Sequence, residues 1–306
     1  MTDGADHEPE RPDLGVYAIL PTPFGAGGEV DEESLRRSVD FSIDGGATAV
    51  AAGMNGGEFY ALSEPERIRM TEVLVEQAAG RVPVIVGVTA GSTRLSAQLA
   101  EHAGRAGAAA VIAMPPHVRH PSGAGIVEFY RAVATASGLP VWIQNFFAPM
   151  GTPMSADLVA TVLTEVPGVG YVKEETFNAV QTISAIRERA GSALQGIMGA
   201  TGRTVVEEHR RGVCGVMVVC EFVEEHVAIW AALRRGDEAA ARRRLRYLLP
   251  LLNMEATYLS SFVKEILRRR GVFATAAVRA PDGIVLDTES LREIDALLRE
   301  LEDARE

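Results

Sequence analysis

The 306 residues carry a formal net charge of −11, with 47% hydrophobic and 23% charged side chains, a composition able to bury a substantial core. That charge argues against nucleic acid or an anionic membrane as partner, since phosphate binding needs a basic surface. No run reaches the roughly 18 uninterrupted apolar residues of a membrane span.

The acidic start, residues 1–13, has neither a basic opening nor an apolar run, so it reads as a disordered arm and not a signal peptide, with a cytoplasmic location as the default. From residue 14, short apolar runs alternate with amphipathic stretches. Strands are expected at 16–20, 47–53, 82–88, 109–114, 141–144, 169–172, 194–198 and 215–219. The helices between and after them fall at 32–43, 64–79, 92–106, 126–137, 156–166, 179–189, 204–211 and 224–235. Ser63-Glu64-Pro65-Glu66 is a capping box that opens the second helix, with proline tolerated in its first turn.

The strands are uniformly apolar instead of alternating, as a parallel sheet covered on both faces requires. Eight such units over residues 14–235 predict an α/β fold, a (β/α)8 TIM barrel. An open doubly wound sheet is the competitor, but no Gly-x-Gly-x-x-Gly follows the first strand. Beyond it, 236–306 reads as a C-terminal helical extension packed on the barrel, with helices at 237–249, 254–270 and 289–303. Cys214 and Cys220 form no disulfide framework or metal-type pair and read as small apolar filler.

One amine stands out. Of the 30 basic residues only Lys173 and Lys264 are lysine, so arginine serves wherever charge alone is wanted. A guanidinium cannot act as a nucleophile, whereas a desolvated lysine amine can attack a carbonyl. Lys173 ends the sixth strand, on the C-terminal side where such barrels carry their chemistry. The plain alternative is an ion pair with Glu174 or Glu175.

Other strand ends supply further candidates. Gly53-Met54-Asn55-Gly56-Gly57-Glu58 follows the second strand, where glycine-freed amides and the Asn55 side chain can hold a carboxylate. Gln144-Asn145 ends the fifth strand, and His117 and His120 follow the fourth. No third ligand is spaced to complete a metal site with those histidines. An acid/base or substrate-binding role for them and an ordinary loop position both remain open.

Taken together, the Gly53 to Glu58 loop and Tyr171-Val172-Lys173-Glu174 make the chain similar to the dihydrodipicolinate synthase and N-acetylneuraminate lyase family. The resemblance extends from Leu14-Gly15-Val16 and Pro21-Thr22-Pro23-Phe24 to the C-terminal helices. It implies a class I lyase in which Lys173 forms an imine with a 2-oxo acid, usually pyruvate, in a homotetramer (dimer of dimers) or a homodimer. No cofactor and no metal are implied. Asn55 and Gly56, with Gly57, take the places that hold the 2-oxo acid carboxylate, and Glu58 matches a structural acidic residue. Asn145 and Gly199 are added as substrate-binding positions.

There are departures too. Gln144 stands where the family carries an acid/base tyrosine, and an amide can orient a substrate but cannot relay a proton. The arginine often found after that segment is missing from residues 146–154. His117, Tyr60 or the substrate's own carboxylate is therefore the expected proton carrier, with Gln144 as a positioner. The expected activity is aldol cleavage or condensation, or dehydration of a deoxy sugar acid. The alternative is a 2-oxo-acid-binding or regulatory protein that has lost turnover.

Overall fold

The computed structural model describes residues 14–279 and 283–304, so the expected arm at 1–13 lies outside the described residues. Eight parallel strands pair in chain order and close on themselves. They are β1 (Gly15–Ile19), β2 (Ala49–Ala52), β3 (Val84–Gly87), β4 (Ala110–Ala113), β5 (Val141–Phe146), β6 (Val169–Glu175), β7 (Gly196–Ala200) and β8 (Gly215–Val219). Closure runs through β1 and β8, from Gly15 opposite Gly215 to Ile19 opposite Val219. The expected (β/α)8 barrel is the observed fold.

The crossover helices are α1 (Glu32–Asp44), α2 (Glu64–Ala78), α3 (Thr93–Ala106), α4 (Gly123–Ser137), α5 (Ala156–Glu165), α6 (Ala179–Ala190), α7 (Val205–Arg210) and α8 (Val223–Arg234). Asp31, Ser63, Ser92, Ser122 and Ser155 start the first five. Each accepts a hydrogen bond from the amide three residues on, satisfying a donor that the helix cannot. The expected capping box is complete: Ser63 accepts from the Glu66 amide, and the Glu66 carboxylate accepts from the Ser63 amide at 2.8 Å.

Because successive strand residues face opposite ways, the uniformly apolar strands build two separate cores. Val50, Val84, Val86, Val111, Ile143, Val172, Ile197, Val216 and Val218 pack outward against the helices. Tyr17, Ile19, Ala49, Ile85, Ile112, Trp142, Met198 and Met217 fill the barrel interior. A polar residue at a strand tip therefore belongs to one layer or the other by parity alone.

The extension differs from expectation in one respect. The two helices expected at 237–249 and 254–270 are both present within α9 (Glu238–Arg269), but they meet at Leu259 (φ 49°, ψ −131°), because the first runs on through Pro250. Leu248, Leu251 and Leu252 are all buried around Pro250, and their packing holds the helix through a residue that favours a stop. Leu259, half in solvent, has no such support. α10 (Thr288–Asp303) packs on α9, and α9 lies along α8. α9 also touches two short 3-10 turns at the barrel mouth, Asn55–Gly57 after β2 and Cys220–Phe222 after β8.

Candidate functional site

Three rungs climb the inner face of the β5–β6 pair. Trp142 lies opposite Tyr171, Gln144 opposite Lys173, and Phe146 opposite Glu175. The lowest rung is a floor, with the Trp142 and Tyr171 rings stacked at a centroid separation of 4.7 Å. On it stand the polar groups. Lys173 Nζ meets Glu175 Oε2 at 2.5 Å, and Gln144 Nε2 donates to Glu175 Oε1 at 2.7 Å. The lysine side chain is 3% exposed and the glutamate 10%, so the pair lies where charge interactions are screened far less than in water.

The ion pair that sequence offered as the plain alternative for Lys173 is thus present, and it places a carboxylate at the amine. Glu175 was not expected as a site residue. Its signal was its spacing, since a residue two beyond Lys173 on a strand shares its face.

The neighbouring residues face the helix layer. Asn145 Nδ2 donates to Glu174 Oε2 at 2.7 Å and to the Met154 carbonyl at 3.1 Å, and its Oδ1 accepts from the Met154 amide at 2.8 Å. The side chain expected to bind substrate is therefore committed to pinning the loop after β5. Glu174 also accepts from the Thr176 amide and hydroxyl. Burial pushes its carboxyl up to about 7 despite those hydrogen bonds.

Gly199 on β7 has a packing explanation. A Cβ there would meet Glu208 Oε2, so the glycine makes room for a buried carboxylate from α7. Glu208 accepts from Thr204 Oγ1 at 2.7 Å, while its Oε2 has no partner among the described residues. Burial lifts this group too to about 7, with the Lys173 charge pulling the other way.

The β2 loop forms the opposite wall. Gly53 (φ 75°) turns the chain where a Cβ would clash with the Gly87 carbonyl. The amides of Gly57 and Glu58 close back on the Met54 and Asn55 carbonyls. Asn55 Nδ2 points at Met114 Sδ, 3.8 Å away, and its buried Oδ1 has no hydrogen-bond partner among the described residues. Gly57 is tied through its carbonyl to Thr22 Oγ1 at 2.6 Å, and Gly56 is half-buried against Val219 and Ile19. Glu58, fully buried, pairs with Lys264 of α9 and accepts from the Arg279 amide at 3.1 Å.

The two side chains expected as proton carriers lie on this wall, away from the Lys173 contacts. The His117 ring stands edge-on to Phe59 at 6.0 Å, with Nδ1 buried and without a hydrogen-bond partner among the described residues. Burial first, and His120 second, lower its pKa and keep it neutral. Tyr60 is 38% exposed and also packs against Phe59. No three His, Cys, Asp or Glu side chains converge as a metal would need among the described residues. No helix among those residues is long and apolar enough to cross a membrane.

Comparison with known proteins agrees with this architecture. The profile of the Dihydrodipicolinate synthetase family matches residues 13–301. The chain is 34% identical to L-2-keto-3-deoxyarabonate dehydratase of Azospirillum brasilense, over 87% of this chain and 88% of that one. It is 32% identical to 4-hydroxy-tetrahydrodipicolinate synthase of Nitratidesulfovibrio vulgaris, over 75% and 78%. Among solved structures, dihydrodipicolinate synthase from Rhodopseudomonas palustris superposes with a TM-score of 0.86 at 25% identity, over 95% of this chain and 99% of that one. The chain is a lyase-type enzyme and belongs to the dihydrodipicolinate synthetase family.

Proposed function

We propose that the enzyme is a class I dehydratase that removes water from a 3-deoxy-2-oxo sugar acid through an imine on Lys173. The observation that carries this reading is the Glu175 carboxylate seated on the Lys173 amine, with Gln144 holding its other oxygen. The likeness to a keto-deoxy acid dehydratase points the same way.

The Lys173 amine adds to the 2-oxo carbon, and Glu175 takes a proton from nitrogen and returns it to the departing oxygen, which leaves as water. The protonated imine is an electron sink, so a proton of the adjacent methylene becomes acidic. Glu175 removes that proton, giving an enamine. It then delivers a proton to the hydroxyl one carbon further on, which leaves as a second water. Hydrolysis of the conjugated imine consumes one water and frees the amine, for a net loss of one. Gln144, standing where the resemblance places a tyrosine, fixes the carboxylate and carries no proton. Asn55 and the Gly56 amide hold the substrate carboxylate, and His117 is a neutral wall group beside them.

Borohydride reduction in the presence of pyruvate or a 3-deoxy-2-oxo pentonate tests this: a single stable adduct on Lys173, and loss of water from the pentonate followed by NMR, are expected. Absence of any adduct with every 2-oxo acid tried would overturn it. An assembly of identical chains, a homotetramer or a homodimer, is part of the same proposal, and Val118 and Phe177, 80% and 85% exposed, are apolar groups that such contacts would cover. Light scattering at working concentration tests it, a monomer counting against it.

A further inference from the structure

A cavity of about 520 Å³ opens between α7 and the first turns of α9, in the helical layer outside the strands. Arg203, Arg210, Arg211 and Arg242 line it, with Val206 and Leu245 as its apolar side. The chain carries a net charge of −11, yet four guanidiniums meet here, and the carboxylates paired with them are Glu207 and Glu238. Those pairs fix the guanidiniums in place. Arg210 grips Glu238 through Nε and Nη2 at 2.8 and 2.6 Å, Arg242 Nε donates to the same carboxylate at 2.8 Å, and Arg211 holds Glu207 at 2.7 Å. The terminal nitrogens of Arg242 have no partner among the described residues. Arg203, in the loop between β7 and α7, makes no hydrogen bond or ion pair among those residues, and only the field of Glu255 reaches it. Exposed ion pairs contribute little to stability, and like charges gathered around one cavity oppose it. The fold therefore gives no reason for the surplus.

We propose that this cavity binds a small organic molecule bearing two or more linked phosphoryl groups, at a site apart from the Lys173 centre. The planar guanidinium fork matches pairs of phosphate oxygens, and a chain of phosphoryl groups supplies the negative charge that Glu207 and Glu238 leave unmet. A monocarboxylate offers a single charge and would not meet it. The volume suits a small ligand, whose organic body would lie against Val206 and Leu245. A nucleic acid would need an extended basic track, which a chain of this net charge does not provide.

Isothermal titration of the full chain with ADP, without magnesium, tests this. One site per chain is expected, with pyrophosphate competing for it and uncharged adenosine not binding. Arg203→Ala removes a side chain without a structural partner, so the melting temperature without ligand should hold while ADP binds about ten-fold more weakly, as loss of a hydrogen bond to a charged group requires. Arg203→Ala combined with Arg242→Ala should weaken ADP about a hundred-fold. Arg105→Ala, which removes an exposed arginine paired with Glu101 on α3, should leave ADP binding within about two-fold. An excess of pyruvate should not displace ADP. The proposal is overturned if ADP does not bind at millimolar concentration, if adenosine binds as well as ADP, or if pyruvate displaces it. It is overturned equally if Arg105→Ala weakens ADP as much as Arg203→Ala does, which would mark a general response to surface charge and not a site.

Discussion

Glu175 stands two residues beyond Lys173 on the inner face of β6, and its carboxylate meets the lysine nitrogen at 2.5 Å. An amine and a carboxylate are thus delivered by one strand, with their separation set by the strand repeat, and in the proposed mechanism they are nucleophile and proton acceptor. Glu175→Gln preserves shape and removes the base. It should lower kcat for dehydration by about a hundred- to ten-thousand-fold, the range for a positioned acid/base, while slow borohydride trapping on Lys173 persists. Unchanged kcat in this variant would exclude Glu175 as the proton carrier.

In the proposed mechanism Gln144 acts through Glu175. Gln144→Leu leaves Glu175 Oε1 without the donor now 2.7 Å away, so the carboxylate is less well aimed. We expect kcat to fall about ten-fold with little change in KM, as a misplaced catalytic group does. Gln144→Asn, which shortens the reach, should resemble Gln144→Leu. Should either variant raise KM alone, the amide would be a substrate contact instead.

How far the sequence could be read follows from which distances matter. The barrel was legible because each strand is a short apolar run, and the helix after the second strand opens on the Ser63 capping box; both signals are local. Lys173 was legible through composition, being one of two lysines. Adjacent Gln144 and Asn145 could not both line the mouth, and the strand period separates them: one reaches Glu175 inside, the other holds Met154 outside. Glu208 carried no local signal, because its burial comes from α7 packing across the strand tips. The end expected at residue 249 was missed because burial of Leu248, Leu251 and Leu252, not propensity, carries that helix through Pro250.

Glu208 gives a pH test of stability. Its carboxyl is raised to about 7 by burial, above the value near 4.3 of an unfolded chain. A raised folded value means that the protonated form favours folding, so the contribution is present below the unfolded value and is lost as pH rises through about 7. Glu208→Gln, neutral throughout, should be more stable than the parent at pH 8, by on the order of 3 kcal/mol at most. The gap should close as pH falls to about 5. Urea denaturation across this range checks it, and a gap independent of pH would show that the Glu208 carboxyl titrates alike in the folded and unfolded chain and is not raised by burial.

The second lysine makes the contrasting prediction. Lys264 Nζ is fully buried, paired with Glu58, donating to the Ala277 carbonyl at 3.0 Å and lying 4.2 Å from the Phe24 ring centroid. Burial lowers its pKa while Glu58 raises it, and no solvent path reaches it, so it should take no 2-oxo acid adduct. Its work is to tie α9 to the β2 loop that carries Asn55 and Gly56. Lys264→Met strands the Glu58 carboxylate and should cost about 3–5 kcal/mol, whereas Glu58→Leu combined with Lys264→Met should recover much of that loss. In the double variant the loop keeps its packing but loses its charged anchor, so the half-saturating concentration of pyruvate should rise while the adduct still forms on Lys173. A double variant no more stable than Lys264→Met would mean that the pair is not the anchor, and labelling of Lys264 in the parent would mean that the amine is reached from the cavity after all.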